Sequence, residues 1–394
     1  MRKDISVSFF FFVFRLKIFA FSCTCQKLFV PLHPQGRYML YQWIISLPMM
    51  LCFFWSIFFI ARLHRGSDEP RVTGTILLFY IAATILYTDH WLYFSGLQSF
   101  WGEYSYSVAN LCVYPLYYAY LRAITRTKKN IELPLLFLPA VLVALLFPLG
   151  AMLRIPNWRE YSLIFSRVCF AIEVIWVWWR GYQILRDARV RMDDAYSDDR
   201  SYLLHPLYLI QHFLGVTAGI SMLLNLLGRD FFAANMMVTI PAVLMSVLLY
   251  GLGYVAAHTT IPRETIASEE PQIQEPTPEE TDELMMRISA VLREQKLFVS
   301  PELTIQDLAT AVHSNRTYVS QCINRRTGLS FSQLVTRYRV ENAELILRSE
   351  NYSSDHEAIA DAIELSGFNS DKTFYRAFKE ITGTTPLQFR HKNG

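Results

Sequence analysis

Apolar residues fill the first two thirds of the chain in long blocks and recur at helical spacing in the last third. Seven runs stand out, at about 40–61, 73–94, 104–124, 133–153, 161–182, 205–227 and 235–258. Each is close to the ~20 residues that a bilayer span requires. Lipid offers the backbone no hydrogen-bond partner, so such spans must be helices. An earlier apolar stretch, 5–22, is interrupted by Arg15 and Lys17. It reads as a signal peptide, a weak extra span or sequence upstream of the true start, since Met39 opens a cleaner membrane-protein beginning. Residues 1–38 are therefore left unassigned, and 39–258 are predicted as a seven-helix transmembrane sensor domain.

The pattern then changes. Residues 261–283 are proline-bearing and strongly acidic, and such a segment cannot bury enough apolar surface to fold. We expect 259–283 to be a flexible tether with an r.m.s. span of ~25–30 Å. From Leu284 the helical period resumes with Ile288, Val291 and Leu292. Thr304 and Asp307 have capping-box spacing, and Ile305, Leu308, Ala309 and Val312 follow on one face. His313-Ser314-Asn315 breaks the pattern. Asn315 can cap a second helix with Val319, Cys322 and Ile323 inward, which Gly328 would end. Two short helices with a tight break predict a helix-turn-helix.

That unit returns at an offset of 55 residues: Asn315 aligns with Ser370, Tyr318 with Thr373, Val319 with Phe374, Ile323 with Phe378, and Thr327-Gly328 with Thr382-Gly383. Between the copies, Ser330 to Arg348 reads as one long helix with a Ser330/Gln333 capping box. Its mostly buried stripe is Phe331, Leu334, Val335, Tyr338, Ala343, Ile346 and Leu347. Ser354 and Glu357 should cap the next helix in the same way, and Pro386 sits at a first helical position.

LATAVHSNRTYVSQCINRRTGLSFSQLVTRYRVENAELIL and SGFNSDKTFYRAFKEITGTTPLQFR resemble the AraC/XylS-type DNA-binding domain, over roughly 284–392. The most specific part runs from Gly367 to Arg390. Two departures from the family pattern show: Ala362-Ile363 stands where Ile-Ala is usual, and Cys322 and Asn324 replace a Leu and a basic residue. The resemblance implies an all-α domain, 284–394, with two helix-turn-helix units joined by a long helix.

Composition and charge sharpen this picture. Hydrophobic residues are 52% and charged residues 18%, unusual for a soluble protein. The net charge of +3 says little alone, but the layout of basic residues orients the spans. The first, third and fifth loops carry Arg62, Arg65 and Arg71; Arg122, Arg126, Lys128 and Lys129; and Arg180, Arg186, Arg189, Arg191 and Arg200. The even loops hold Arg154, Arg159 and Arg229, with Arg167 nearby. Odd loops then face the cytoplasm, and an odd number of spans places the C-terminal domain there. This predicts a multi-pass protein of the bacterial inner membrane with DNA and the lipid bilayer as partners. RNA polymerase, a second copy of the chain and an unidentified small-molecule or membrane signal remain open as further partners.

A recognition helix presents its outward side chains to base edges in the major groove. The outward set on the first is Arg316, Thr317, Ser320, Gln321 and Asn324; on the second it is Asp371, Lys372, Thr373 and Arg376. Gln suits adenine and Arg suits guanine, each bidentately. Arg325, Arg326, Lys379 and Arg390 are expected on phosphates, which set affinity rather than sequence. Within the spans, Asp89, His90, Glu173 and His212 are candidate signal-site residues, because ionisable groups there are costly. For Glu173 the readings are a contact with Arg167 or Arg180, or the wall of a ligand cavity. For Cys322 they are a buried packing thiol or a redox sensor. No protease, P-loop or esterase motif and no metal-ligand set is visible, so neither catalysis nor a cofactor is expected. A transporter or enzyme in the membrane part, or proteolytic release of the C-terminal domain, remains an alternative.

Overall fold

The computed structural model describes residues 34–97, 99–127, 132–198, 200–227, 238–259, 261, 277–349 and 352–393, and all regular structure among them is helical. Most of segment 1–38, most of the tether, and Lys128, Lys129 and Arg229 lie outside the described residues. Among the described residues seven long helices come first: α1 (Pro34–His64), α2 (Pro70–Phe94), α3 (Phe100–Ile124), α4 (Glu132–Met152), α5 (Trp158–Ala195), α6 (His205–Leu227) and α7 (Thr239–His258). They match the seven apolar runs one for one. Helices α1, α2, α3, α5, α6 and α7 pack in that cyclic order, and α4 lies against α3 and α5.

Six of these helices are long and apolar enough to cross a membrane; α3, expected as the third span, is not among them. The reason is its place. Helix α3 packs against α2, α4 and α5 and turns Tyr114, Tyr117, Tyr118, Tyr120 and Leu121 into the bundle; among its described large apolar side chains only Trp101 is exposed. A helix enclosed by protein does not need an apolar exterior. Its neighbours do carry one: Leu78, Ile81 and Ile85 on α2, Leu138, Val141 and Leu145 on α4, and Ile164, Val168 and Ile172 on α5 are all exposed.

The bundle interior is tied by phenols. The Tyr80 hydroxyl donates to the carbonyl of Leu249 (2.6 Å), joining α2 to α7. The Tyr117 hydroxyl donates to Gln211 Oε1 (2.7 Å), and Gln211 Nε2 donates to the carbonyl of Trp178 (2.8 Å). One fully buried glutamine thus bridges α3, α6 and α5, in space that Gly181 leaves by lacking a Cβ.

Helix α5 is the longest. Its 38 residues span ~57 Å, well beyond a ~30 Å hydrocarbon layer. The expected span 161–182 is therefore the first part of a helix that continues through Ala195, where a loop was expected. The continuation is tied to α3 by Arg191, which donates to the carbonyl of Thr125 (3.1 Å).

The last third comprises α8 (Pro278–Glu294), α9 (Ile305–Ala311), α10 (Arg316–Thr327), α11 (Phe331–Leu347), α12 (Asp355–Glu364), α13 (Asp371–Thr382) and α14 (Pro386–Asn393). The acidic residues 278–283 belong to α8, not to a tether: Thr277 and Glu280 form a capping box, and Glu279 and Glu280 lie in the first turn, where the helix dipole favours negative charge. Two cores follow. Leu284, Ile288, Leu308, Val319, Ile323, Phe331 and Val335 build one; Val340, Ala343, Leu347, Ala358, Phe374 and Phe378 build the other. Helix α11 supplies its N-terminal half to the first core and its C-terminal half to the second.

Candidate nucleic-acid interface

Each helix-turn-helix is set by local chemistry. In the first, Thr304 and Asp307 close a capping box on α9, and Asn315 Oδ1 accepts from the backbone of Tyr318 (2.8 Å) to start α10. In the second, Ser354 Oγ accepts from the Glu357 backbone, but the Glu357 carboxylate accepts from Ser353 instead of returning the bond. The cap on α12 is therefore half of the expected box. Ser370 Oγ accepts from the Thr373 backbone (3.3 Å) to start α13. Both recognition helices end on left-handed glycines, Gly328 (φ +68°) and Gly383 (φ +77°). Ser330/Gln333 and Thr385/Gln388 then cap the following helices reciprocally.

The residues expected inward are buried, Val319, Cys322 and Ile323 on α10 and Phe374 and Phe378 on α13, and Ala377 joins them. Cys322 is buried and its Sγ donates to the carbonyl of Thr281 (3.2 Å). Burial pushes its thiol pKa up, which favours the packing role over a redox sensor. On the outer face, Thr317, Gln321 and Asn324 are exposed, and Arg316 and Ser320 are half-buried. On α13, Asp371, Lys372, Arg376 and Lys379 are exposed; Thr373 is half-buried, and its hydroxyl accepts from Ser370 (2.9 Å) as part of the cap. Arg325 and Arg326 are exposed near the end of α10, with Arg326 paired to Asp282.

Arg390 does not share that surface. Its guanidinium bonds Asp355 (2.8 Å) and the carbonyls of Leu347 and Ser349 (3.3 Å each), and its side chain is 14% exposed. It ties the C-terminal end of α11 to α12, so the group expected on a phosphate is engaged within the domain.

Arg339 is the residue that the apolar stripe hid. It lies between the two cores of α11 at 2% exposure. It donates to the carbonyls of Phe298 (2.8 Å) and Ser300 (2.8 Å), and to the carbonyl and hydroxyl of Ser197 (3.2 and 2.9 Å). Burial draws its pKa down to about 10, against the field of Asp198, so it stays a cation at neutral pH. Ser197 belongs to the turn after α5. Its N–H donates to the carbonyl of Leu303 (3.0 Å), and Tyr196 bridges to Thr304. The end of α5 is thus docked on the C-terminal domain.

The four membrane candidates are not brought together. Asp89 accepts from Ser105 (2.6 Å), at the end of the bundle where Glu103 pairs with Arg159. His90 stacks on Tyr106 and, with Asn110, Ser221 and Met245, lines a cavity of about 70 Å³. Glu173 is 5% exposed, and neither carboxylate oxygen has a hydrogen-bond partner. Arg180 is engaged by Glu132 and Arg167 is exposed, so neither expected pairing is made. His212 is exposed beside Tyr182, with Nδ1 at 2.8 Å from the Tyr208 carbonyl. Its neighbour Gln211 is turned inward instead and fully buried. Among the described residues no cluster of metal-binding side chains occurs.

Residues 308–392 match the family described as a helix-turn-helix domain. This C-terminal region is a helix-turn-helix domain of the AraC type. Over 88 residues, 22% of this chain and 28% of the other, the chain is 31% identical to the melibiose operon regulatory protein of Escherichia coli (strain K12). Two Bacillus subtilis (strain 168) proteins described as uncharacterized HTH-type transcriptional regulators are also similar. YisR is 31% identical over 87 residues, 22% of this chain and 29% of its own length. YtdP is 31% identical over 91 residues, 23% and 11% respectively. The chain thus spans less than a third of the length of each of these curated relatives. No solved structure matches the chain at a significant level.

Proposed function

We propose that the protein is a membrane-anchored, sequence-specific DNA-binding transcriptional regulator that couples a signal at the membrane to transcription. The observation that carries this reading is the pair of capped recognition helices, α10 and α13, each with an apolar face inward and a polar face outward. Gln321 and Arg376, both exposed, are the base readers, with Thr317, Ser320, Asn324, Lys372 and Thr373 beside them. Arg325, Arg326 and Lys379 meet phosphates. The two helices enter successive major-groove segments about 34 Å apart. Similarity to proteins named as transcriptional regulators supports this output.

Seven spans anchor the domain, the enclosed α3 included, and the basic residues of the odd loops keep it on the cytoplasmic side. The cavity beside His90 lies at the opposite, outer end, where a small extracytoplasmic ligand has access. Genome-wide mapping of the full chain on DNA tests the output, and a C-terminal reporter fusion tests the topology. A reporter active only in the periplasm, or a chain that crosslinks to no preferred site, overturns the reading.

A further inference from the structure

The proposed DNA reader is not free in this structure. On α10, Arg316, Ser320 and Asn324 are spaced by four residues and form one line along the helix. That line lies toward the end of α5: burial pushes the Asp194 carboxyl pKa up, and Arg316 and Asn324, close enough to act on it, hold it down. Arg316 and Ser320 are half-buried, whereas Thr317 and Gln321, on the adjacent line, are exposed. One flank of the first recognition helix is therefore occupied.

A separate set of bonds, away from that flank, holds the arrangement. The turn behind α5 is buried at Tyr196 and Ser197. It is fastened by Arg339 to Ser197, by the Ser197 N–H to Leu303, and by Asn369 Nδ2 to Asp198 Oδ2 (3.3 Å). Asn369 immediately precedes the cap of α13, so the turn touches both helix-turn-helix units. Arg200 stacks on the Tyr196 ring (4.1 Å) and pairs with Asp198 (3.0 Å), which stiffens the turn.

We infer that the acidic end of α5, with the turn that follows it, is an inhibitory clamp on the first helix-turn-helix, and that DNA and the clamp exclude each other. The inference rests on the DNA-reading proposal and adds its regulation. The exclusion is geometric first. The major groove is ~12 Å wide and an α-helix with side chains is ~10–12 Å across, so phosphate strands must run along both flanks of an inserted helix. Helix α5 stands where one strand has to pass. The exclusion is also chemical. Arg316, a cation that would meet DNA, is given a carboxylate instead. Helix α13 keeps Lys372, Arg376 and Lys379 exposed, so the clamped protein retains one reader of two. Arg191 and the Tyr117–Gln211–Trp178 bridge tie α5 to the bundle. A shift of α5 within the bundle therefore reaches the clamp directly.

The test uses the full chain in detergent micelles and a pool of random-sequence duplexes. Asp194→Ala should tighten duplex retention on the order of fivefold, the lower end of ordinary coupling between sites. Asp187→Ala removes the same charge about two turns earlier on α5 and should leave retention unchanged. In a second arm, Asp194→Cys and Asn324→Cys are combined and joined by a short bifunctional thiol reagent. The joined form should lose retention by at least the same factor relative to the same variant left unjoined. The clamp is overturned if Asp194→Ala binds no better than wild type, if joined and unjoined forms bind alike, or if the cysteines cannot be joined. In each of those cases wild-type binding stands, and so does the reading of DNA. No retention in any state would sink that reading, and the clamp with it.

Discussion

Arg339, in the middle of α11, donates to both the carbonyl and the hydroxyl of Ser197 across 142 residues of sequence. Its other two bonds, to Phe298 and Ser300, stay within the C-terminal domain. One buried cation therefore serves two purposes: it satisfies the carbonyls of Phe298 and Ser300 at the end of a short 3-10 helix, Leu297–Val299, before α9, and it fastens the membrane-side turn. Arg339→Ala would leave four oxygens without that donor, and losing one partner of a buried charged network costs about 3–5 kcal/mol. Ser197→Ala removes only the hydroxyl bond and should cost about 1.5–3 kcal/mol, the range of a bond to a charged group. Thermal unfolding of the full chain should show the large loss for Arg339→Ala. The small one should register mainly as faster proteolysis between the two parts.

Arg376 and Lys379 are both exposed on α13, one turn apart, yet they are expected to fail differently. Arg376→Ala should lose ~1–3 kcal/mol of discrimination at one base position and little non-specific affinity. Lys379→Ala should weaken binding to all sequences alike and reduce the salt slope by about one. Competition binding at several salt concentrations separates the two. If Arg376→Ala weakens every duplex equally, its role is phosphate contact and the assignment is wrong.

Much of the C-terminal domain was legible because it is built from local rules. Thr304, Asn315, Ser330 and Ser370 cap helices through side chains three residues from their targets, so spacing alone finds them. What spacing could not find was long-range. Arg339 interrupts an apolar stripe, and only the fold shows Ser197 beside it. Gln211 is as polar as its neighbour His212, but the helix turns Gln211 to Tyr117 and His212 outward. The length of α5 was hidden for a related reason. Once a helix leaves the apolar run, its charged continuation, Arg186 to Asp194, resembles a loop in composition. Arg390 fits the family pattern and its basic character suits phosphate, yet Asp355 lies 2.8 Å away.

The Arg390 network makes that correction measurable. Arg390→Ala removes the pair with Asp355 and two donors to the end of α11, where the last helical carbonyls otherwise lack partners. The expected loss is about 1.5–3 kcal/mol of domain stability, the range of charge-assisted bonds. The salt dependence of DNA binding by the folded fraction should keep its slope. A fall in that slope by about one would instead restore Arg390 to the phosphate contacts.

Gly367 and Gly383 both have φ +77°, so alanine is strained at each, but their surroundings differ. Nothing lies within 4 Å of a Cβ added at Gly383, and Gly383→Ala should cost about 1 kcal/mol, the left-handed penalty alone. At Gly367 a Cβ would run into the backbone of Val299, in the short helix that Arg339 holds. Backbone cannot move aside as a flexible side chain can, so the turn of the second unit must part from Val299 and the seam between the cores opens. Gly367→Ala should therefore cost several times as much as Gly383→Ala, measured by chemical denaturation of the two variants side by side. Equal losses would mean that the seam yields freely and that the two cores are not held together at Val299.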